Sequence, residues 1–339
     1  MSTAPSLHLF RGDFSKGSPP GDTPSLAWTL TQVYERYLLP VCRRSAADPR
    51  AQGTIDKDHH ALGWWTRLTG DPPLAQVSQE TCNAFCEDLA AAEARGGKTL
   101  AANTRRAIAI HLQWMLDLCG PRVRRRQRAL GLWQEAPWIE TPPAQEARVK
   151  DIWRLDELGL LLAATCVAKR PEWWQSLILF LYNTGLRIGS AILASWENVD
   201  RDDPGWLFLP ASTMKGGKRS HEIPLNSVAR DSIEVLRRDG VPRLFGRRWP
   251  SSKSGMERTL GRIKRASGLP PHRCEGFAFH ALRGACYTEG KKINSAGADL
   301  LLGHRGVSIG IDCYAGRELM LEVVTRLPQP RFERQARLF

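Results

Sequence analysis

Leu301-Leu302-Gly303-His304-Arg305-Gly306-Val307-Ser308-Ile309-Gly310-Ile311-Asp312-Cys313-Tyr314 is the stretch whose reading decides the fold. It sets a histidine behind a glycine and ends on a tyrosine. Upstream stand Thr184-Gly185-Leu186-Arg187, then Lys215, then His280-Ala281-Leu282-Arg283. Two arginines, a lysine, two histidines and a late tyrosine share one chemical use. The cations can surround a phosphodiester while a phenol oxygen attacks it.

Each piece alone is weak. Arg187 after an apolar run and a glycine also fits a glycine-capped helix end with a surface arginine. His280 and Arg283 lie three apart, so one helix face presents both; an ordinary surface pair does the same. His304 fits a helix-capping histidine as well. An arginine fork binds two phosphate oxygens and never loses its proton, which is what a transition state gaining negative charge requires. A phenol titrates near pH ~10 and needs neighbouring cations to stabilise its anion. Among Tyr34, Tyr37, Tyr182, Tyr287 and Tyr314, Tyr287 is the internal competitor for nucleophile, four residues beyond Arg283.

Composition narrows the classes. The chain has 339 residues, which as a soft prior means two domains, and 42% hydrophobic residues, enough for globular cores. The net charge of +13 points to a polyanionic partner. No apolar run is long enough for a membrane span. Residues 1–24 are polar and rich in Gly, Pro and Ser, without the apolar core of a secretory signal, and read as a flexible tail. The eight cysteines form no C-x-x-C pair. Cys82 and Cys86 sit one helical turn apart, but scattered thiols read as small apolar side chains of a reducing, cytoplasmic protein rather than a zinc site.

Helical spacing runs through Leu26–Leu39, Thr54–Leu68, Gln79–Ala94 behind the N-cap Ser78, and Leu100–Leu118. This predicts an all-α first domain over 25–120. Residues 121–150, basic at first and then proline-containing, read as a linker; the arginines of Arg122 to Arg128 fit both a solvated surface and backbone phosphates. The second domain, 151–326, is predicted to hold helices at Trp153–Cys166, Glu172–Asn183, Ala191–Trp196, Ser227–Arg238, Ser254–Ser267 and Phe279–Gly290. Short strands are expected at Trp206–Pro210 and His221–Pro224, joined by a turn at Met214-Lys215-Gly216-Gly217-Lys218. Residues 327–339 are a C-terminal tail. Leu319, Leu321, Val323 and Val324 form an apolar patch that fits packing in its own domain or against a neighbouring protomer.

In that order and spacing, TGLR, the MKGGK turn before HEIPL, HALR and LLGHRGVSIGIDCY resemble the tyrosine recombinase, or phage integrase, family over about 130 residues. The resemblance implies a fold that is mainly α with a small antiparallel β-sheet: an all-α N-terminal core-binding, DNA-clamping domain plus a mixed α/β catalytic domain. It implies a site-specific DNA recombinase. Arg187 and Arg283 would clamp the scissile phosphate, and His280 and His304 would assist transition-state binding and proton transfer. Lys215 would protonate the departing 5′ oxygen, and Tyr314 would form a 3′-phosphotyrosyl link. Lys218, three residues on, competes with Lys215 for the general-acid role; position favours Lys215. No metal or nucleotide cofactor is implied, because the covalent link conserves the bond energy. The implied partners are double-stranded DNA and three further copies of the chain in a tetramer on DNA. One departure is Ser190, where many relatives carry an acidic residue. The alternatives are a type IB topoisomerase-like nicking-closing enzyme, a catalytically inactive DNA-binding relative, and, from a different class, a metal-dependent nuclease, for which the second domain has few carboxylates near its histidines.

Two further places offer DNA contacts. In Ser254–Ser267, Met256, Leu260 and Ile263 form an apolar stripe while Arg258, Arg262 and Arg265 fall on another face. That side suits a major groove, with base reading or plain phosphate binding both open. In the first domain Lys98, Arg105 and Arg106 flank a helix start and are expected at phosphates, with a plain solvated helix start as the alternative.

Overall fold

The chain divides into two units, Met1–Ala147 and Arg148–Phe339, in a computed structural model that describes residues 23–40, 51–94, 97, 99–121, 129–144, 152–200, 205–214, 219–237, 240–246, 253–274, 279–304 and 316–332. Lys98, Lys215, Lys218 and Tyr314 lie outside the described residues.

The first unit is helical where it is described. Helix α1 (Leu30–Val33) opens on Thr29, whose hydroxyl accepts from the Gln32 N–H at 3.2 Å, and it widens into a π-helical turn over Tyr34–Leu38. Helix α2 (Gln52–Thr69) ends on Gly70 at φ +76°, and α3 (Gln79–Ala91) begins on the expected Ser78 cap. There Ser78 and Thr81 cap each other, satisfying two N–H groups that have no helical partner. Helix α4 (Ala102–Cys119) buries Ile108, Leu112, Met115 and Leu116 against Trp65 and Phe85. Among the described residues one buried charge sits in this core: Asp58 accepts from the Tyr34 hydroxyl at 2.9 Å and pairs with His111 Nδ1 at 2.6 Å.

Part of the stretch expected as a linker belongs to this unit. Ile139 is fully buried in its core, and the Gln113 amide oxygen accepts the Ile139 N–H at 2.6 Å. The Gln79 side chain pairs with both backbone groups of Trp138, at 2.9 and 2.8 Å. Side-chain amides here satisfy an extended backbone that lacks a sheet partner.

The second unit is built on α5 (Leu155–Ala163), which tightens into a 3₁₀ turn over Ala164–Val167, and on α6 (Pro171–Thr184). Proline at the first position of α6 loses no helical bond, and Gly185 at φ +61° stops the helix. Helix α7 is Ile188–Leu193, earlier than the expected Ala191–Trp196, because Gly185 releases the chain and it re-enters a helix immediately after Arg187. The sheet has order β1-β2-β3, all antiparallel, from β1 (Val199–Asp200), β2 (Gly205–Leu209) and β3 (His221–Leu225). Leu207 faces Ile223 across β2 and β3, both on the core side.

Helix α8 (Ser227–Glu234), α9 (Lys253–Ala266) and the short α10 (Pro271–Cys274) lead to α11 (His280–Ile293), α12 (Ser295–Leu301) and α13 (Gly316–Arg326). Val323 and Val324 of α13 are buried in the core of their own unit, and Leu327 follows them in. Tyr182 of α6 donates to the Pro328 carbonyl at 2.6 Å, so residues just past α13 also pack at home. Glu157 of α5 is buried and bonded by the Arg273 guanidinium, which also donates to the Ile152 carbonyl at 2.7 Å. Arg273 thus serves the unit's interior. No described helix is long and apolar enough to cross a membrane.

Candidate active site

The α6 terminus decides where Arg187 stands. Gly185 takes a left-handed conformation, and a Cβ there would lie 2.8 Å from Leu302 Cδ1 and 3.3 Å from Cys286 Sγ. Only glycine fits both the backbone and the space. The turn is therefore pressed against α11 and against the residue ahead of Gly303. Arg187 follows at the start of α7, half-buried.

Arg283, on α11, is 5% exposed. Its guanidinium donates from one nitrogen to the Gly185 carbonyl and from the other to the Leu302 carbonyl, each at 2.6 Å. One side chain joins three distant segments: the Thr-Gly-Leu-Arg turn, its own helix, and the Leu-Leu-Gly-His turn. Among the described residues no carboxylate pairs with it. Burial, and then the positive charge of Arg187, push its pKa down to about 10. Two neighbouring guanidiniums held together without an acid are an unfavourable arrangement that an anion relieves.

His304 enters on the same turn. Gly303 is at φ +68°, and the His304 N–H donates to the Asp299 carbonyl at 2.8 Å. The imidazole is about half exposed, with Nδ1 3.5 Å from an Asp299 carboxylate oxygen and its ring edge-on to Tyr287 at 5.7 Å. Asp299 also accepts from the Tyr287 hydroxyl at 2.8 Å and from Lys291 Nζ at 2.6 Å. Burial raises the Asp299 pKa, but the Lys291 and Tyr287 bonds outweigh it and the carboxyl lies below its usual range. The Tyr287 hydroxyl, the internal rival to Tyr314, is thereby engaged with a carboxylate. Tyr34 bonds Asp58 and Tyr182 bonds Pro328, so those two phenols are also occupied; burial pushes the Tyr182 phenol well above its ordinary value.

His280 is the exposed first residue of α11, one turn before Arg283. His221, noticed in the sequence only as the start of a strand, is the unexpected member. Its Nε2 lies 3.0 Å from the Leu301 carbonyl, and a Cβ on Gly303 would come within 3.7 Å of that nitrogen. Burial lowers its pKa, and Arg283 lowers it further. A neutral imidazole donating from Nε2 to the carbonyl suits that setting. Ser190 Oγ donates to the Thr213 carbonyl at 2.9 Å, two residues before Lys215.

On α9, Met256, Leu260 and Ile263 are buried while Arg258, Arg262 and Arg265 are exposed along a shallow groove. In the first unit, Arg105 reaches the Ala90 carbonyl at 3.4 Å and Arg106 the Pro142 carbonyl at 2.5 Å. Both guanidiniums hold backbone there. No group of His, Cys, Asp and Glu able to hold a metal occurs among the described residues.

A family model described as the phage integrase family matches residues 153–315, the segment that carries both arginines and His304. No curated protein matches the chain. Among solved structures, a lambda integrase tetramer bound to a Holliday junction is similar at TM-score 0.61 and 19% identity, over 84% of this chain and 76% of that one. A XerH site-specific recombinase in a pre-cleavage complex with its difH substrate gives TM-score 0.54 and 15% identity, over 87% and 84%. The Tn1549 transposon integrase with circular intermediate DNA gives 0.54 and 14%, over 87% and 99%. At these identities the likeness speaks for the fold, and the family model speaks for the sequence. Residues 153–315 therefore carry a phage integrase family domain.

Proposed function

We propose that this protein is a site-specific DNA recombinase that breaks and rejoins DNA through a 3′-phosphotyrosyl intermediate. The observation that carries the reading is Arg283: buried, tied to Gly185 and Leu302, and set beside Arg187 with no carboxylate partner among the described residues. Fixed cations of this kind bind the extra charge on a phosphodiester under attack, and they cost no reorganisation at the moment of reaction. In this reading the Tyr314 oxygen attacks phosphorus. Its proton passes to a histidine, His280 or His304. The bond to the 5′ oxygen breaks, and Lys215 supplies the proton that oxygen takes. A 5′ hydroxyl from a partner strand then reverses the step and releases Tyr314.

The partner is double-stranded DNA, with Arg258, Arg262 and Arg265 at its backbone or base edges. Lys98, Lys218, Arg105 and Arg106 are secondary contacts, the last two through whatever donors their carbonyl bonds leave over. A homotetramer on DNA, as in the lambda integrase complex, and action in the cytoplasm complete the proposal. The test is a strand-exchange assay with two labelled duplexes carrying the chain's own attachment sites. Recombinant products and a four-way junction intermediate are expected. Relaxation of supercoils at arbitrary sequence, with no exchange between duplexes, would identify a nicking-closing enzyme instead.

A further inference from the structure

We infer that Asp299 is a positioning residue for His304, fixing which imidazole nitrogen carries the proton and how the ring faces the reacting phosphate. This deepens the recombinase reading and rests on it. Asp299 grips His304 twice: its backbone carbonyl accepts the His304 N–H at 2.8 Å, and its carboxylate lies 3.5 Å from Nδ1. The first bond sets the turn after α12. The second sets the ring. A carboxylate carries no hydrogen to donate, so a protonated Nδ1 is the tautomer this contact favours.

The carboxylate is itself held from two sides. Lys291 Nζ donates to one oxygen at 2.6 Å, and the Tyr287 hydroxyl donates to the other at 2.8 Å. Both donors are on α11, the helix that carries Arg283. Tyr287 then lays its ring edge-on against the imidazole, 5.7 Å between centroids. The two donors and the ring contact fix the ring plane relative to Arg283. With Nδ1 occupied, Nε2 is the nitrogen left for chemistry; among the described residues nothing bonds it. In the neutral ring Nε2 accepts a proton, and in the charged ring it donates a hydrogen bond to a phosphate oxygen. Without Asp299 the ring is free to take the opposite tautomer, which removes the Nε2 acceptor of the neutral ring, and to turn, which misdirects the Nε2 donor of the charged one.

The test begins on the full chain with ¹⁵N-labelled histidine. Nitrogen shifts report the tautomer, and His304→Gln assigns the signal. The unaltered protein should show a protonated Nδ1 at His304, and Asp299→Ala should move that ring toward the Nε2–H form. A protonated Nε2 in the unaltered protein overturns the proposal with no variant needed. The second arm measures covalent capture of a nicked suicide duplex. Asp299→Ala should slow it by about tenfold to a hundredfold, with DNA affinity unchanged. In a His304→Ala background the same substitution should cost nothing more. An equal loss in both backgrounds would show that Asp299 acts through packing instead. If the unaltered protein captures no DNA, the recombinase reading fails, while the nitrogen shifts still decide the Asp299–His304 relation.

Discussion

Arg283 donates to the Gly185 carbonyl at 2.6 Å, so the arginine of α11 holds the turn that presents Arg187. The two cations are therefore positioned as a pair. Displacing one is expected to displace the other.

The first prediction tests that coupling. Lysine lacks the planar fork and cannot bridge Gly185 and Leu302 together. Arg283→Lys should leave one buried carbonyl unsatisfied and destabilise the second unit by about 1–3 kcal/mol, read by urea unfolding. Covalent capture of DNA should fall by a factor of about 100 or more. A variant with unchanged unfolding midpoint would show that the bridge contributes nothing.

Anion binding gives a second prediction. The folded pKa of Arg283, about 10, lies below the ordinary arginine value. The cost of keeping it charged is thus fully present below that pH and is relieved only as pH rises past it. At neutral pH an anion must supply the relief. Orthovanadate or sulfate should raise the melting temperature of the unaltered protein more than that of Arg187→Ala, by a few degrees at saturation, on the order of 2–4 °C per kcal/mol of binding. Equal shifts in both proteins would mean a general salt effect.

Ser190 supplies a third. Its hydroxyl donates to the Thr213 carbonyl, two residues before Lys215 in the chain. Ser190→Ala should slow cleavage of ordinary DNA by about tenfold. A 5′-bridging sulfur should restore the rate, because a thiol ionises near pH ~8.5 and leaves without a proton donor. Equal slowing on both substrates would assign Ser190 to packing alone.

A fourth concerns stability away from the site. Burial raises the Glu157 pKa, but bonds from Arg273 and the Arg154 N–H bring it below 4.5. The pair's stabilisation is complete above that pH and is lost as pH falls through the lower folded value. Glu157→Gln should cost about 3–5 kcal/mol at neutral pH and flatten the acid limb of the unfolding curve. An unchanged acid limb would contradict the assignment.

What the sequence revealed, and what it hid, follows the range of the interactions. Helix α4 was legible as Leu100–Leu118 because Ile108, Leu112 and Met115 repeat at helical spacing, and the Ser78 cap was legible because capping is local. The apolar stripe of α9 was visible for the same reason, with its arginines outside. His221 was not visible as a site neighbour, since its contact with Leu301 spans 80 residues and leaves no periodic trace. Asp299 was missed because only the turn at Gly303 folds His304 back upon it. Trp138 and Ile139 read as linker in the sequence because their partners, Gln79 for Trp138 and Gln113 for Ile139, are distant in the chain. The bonds of Arg105 and Arg106 to the Ala90 and Pro142 carbonyls of their own unit were likewise hidden, since those partners lie 15 and 36 residues away.

The most direct measurement digests the protein after capture on a nicked suicide duplex and locates the nucleotide-bearing peptide by mass spectrometry. The account predicts a single adduct on the peptide containing Tyr314, absent from Tyr314→Phe, which still binds the duplex. An adduct on Tyr287 or on any other residue, or one that persists in Tyr314→Phe, would contradict it.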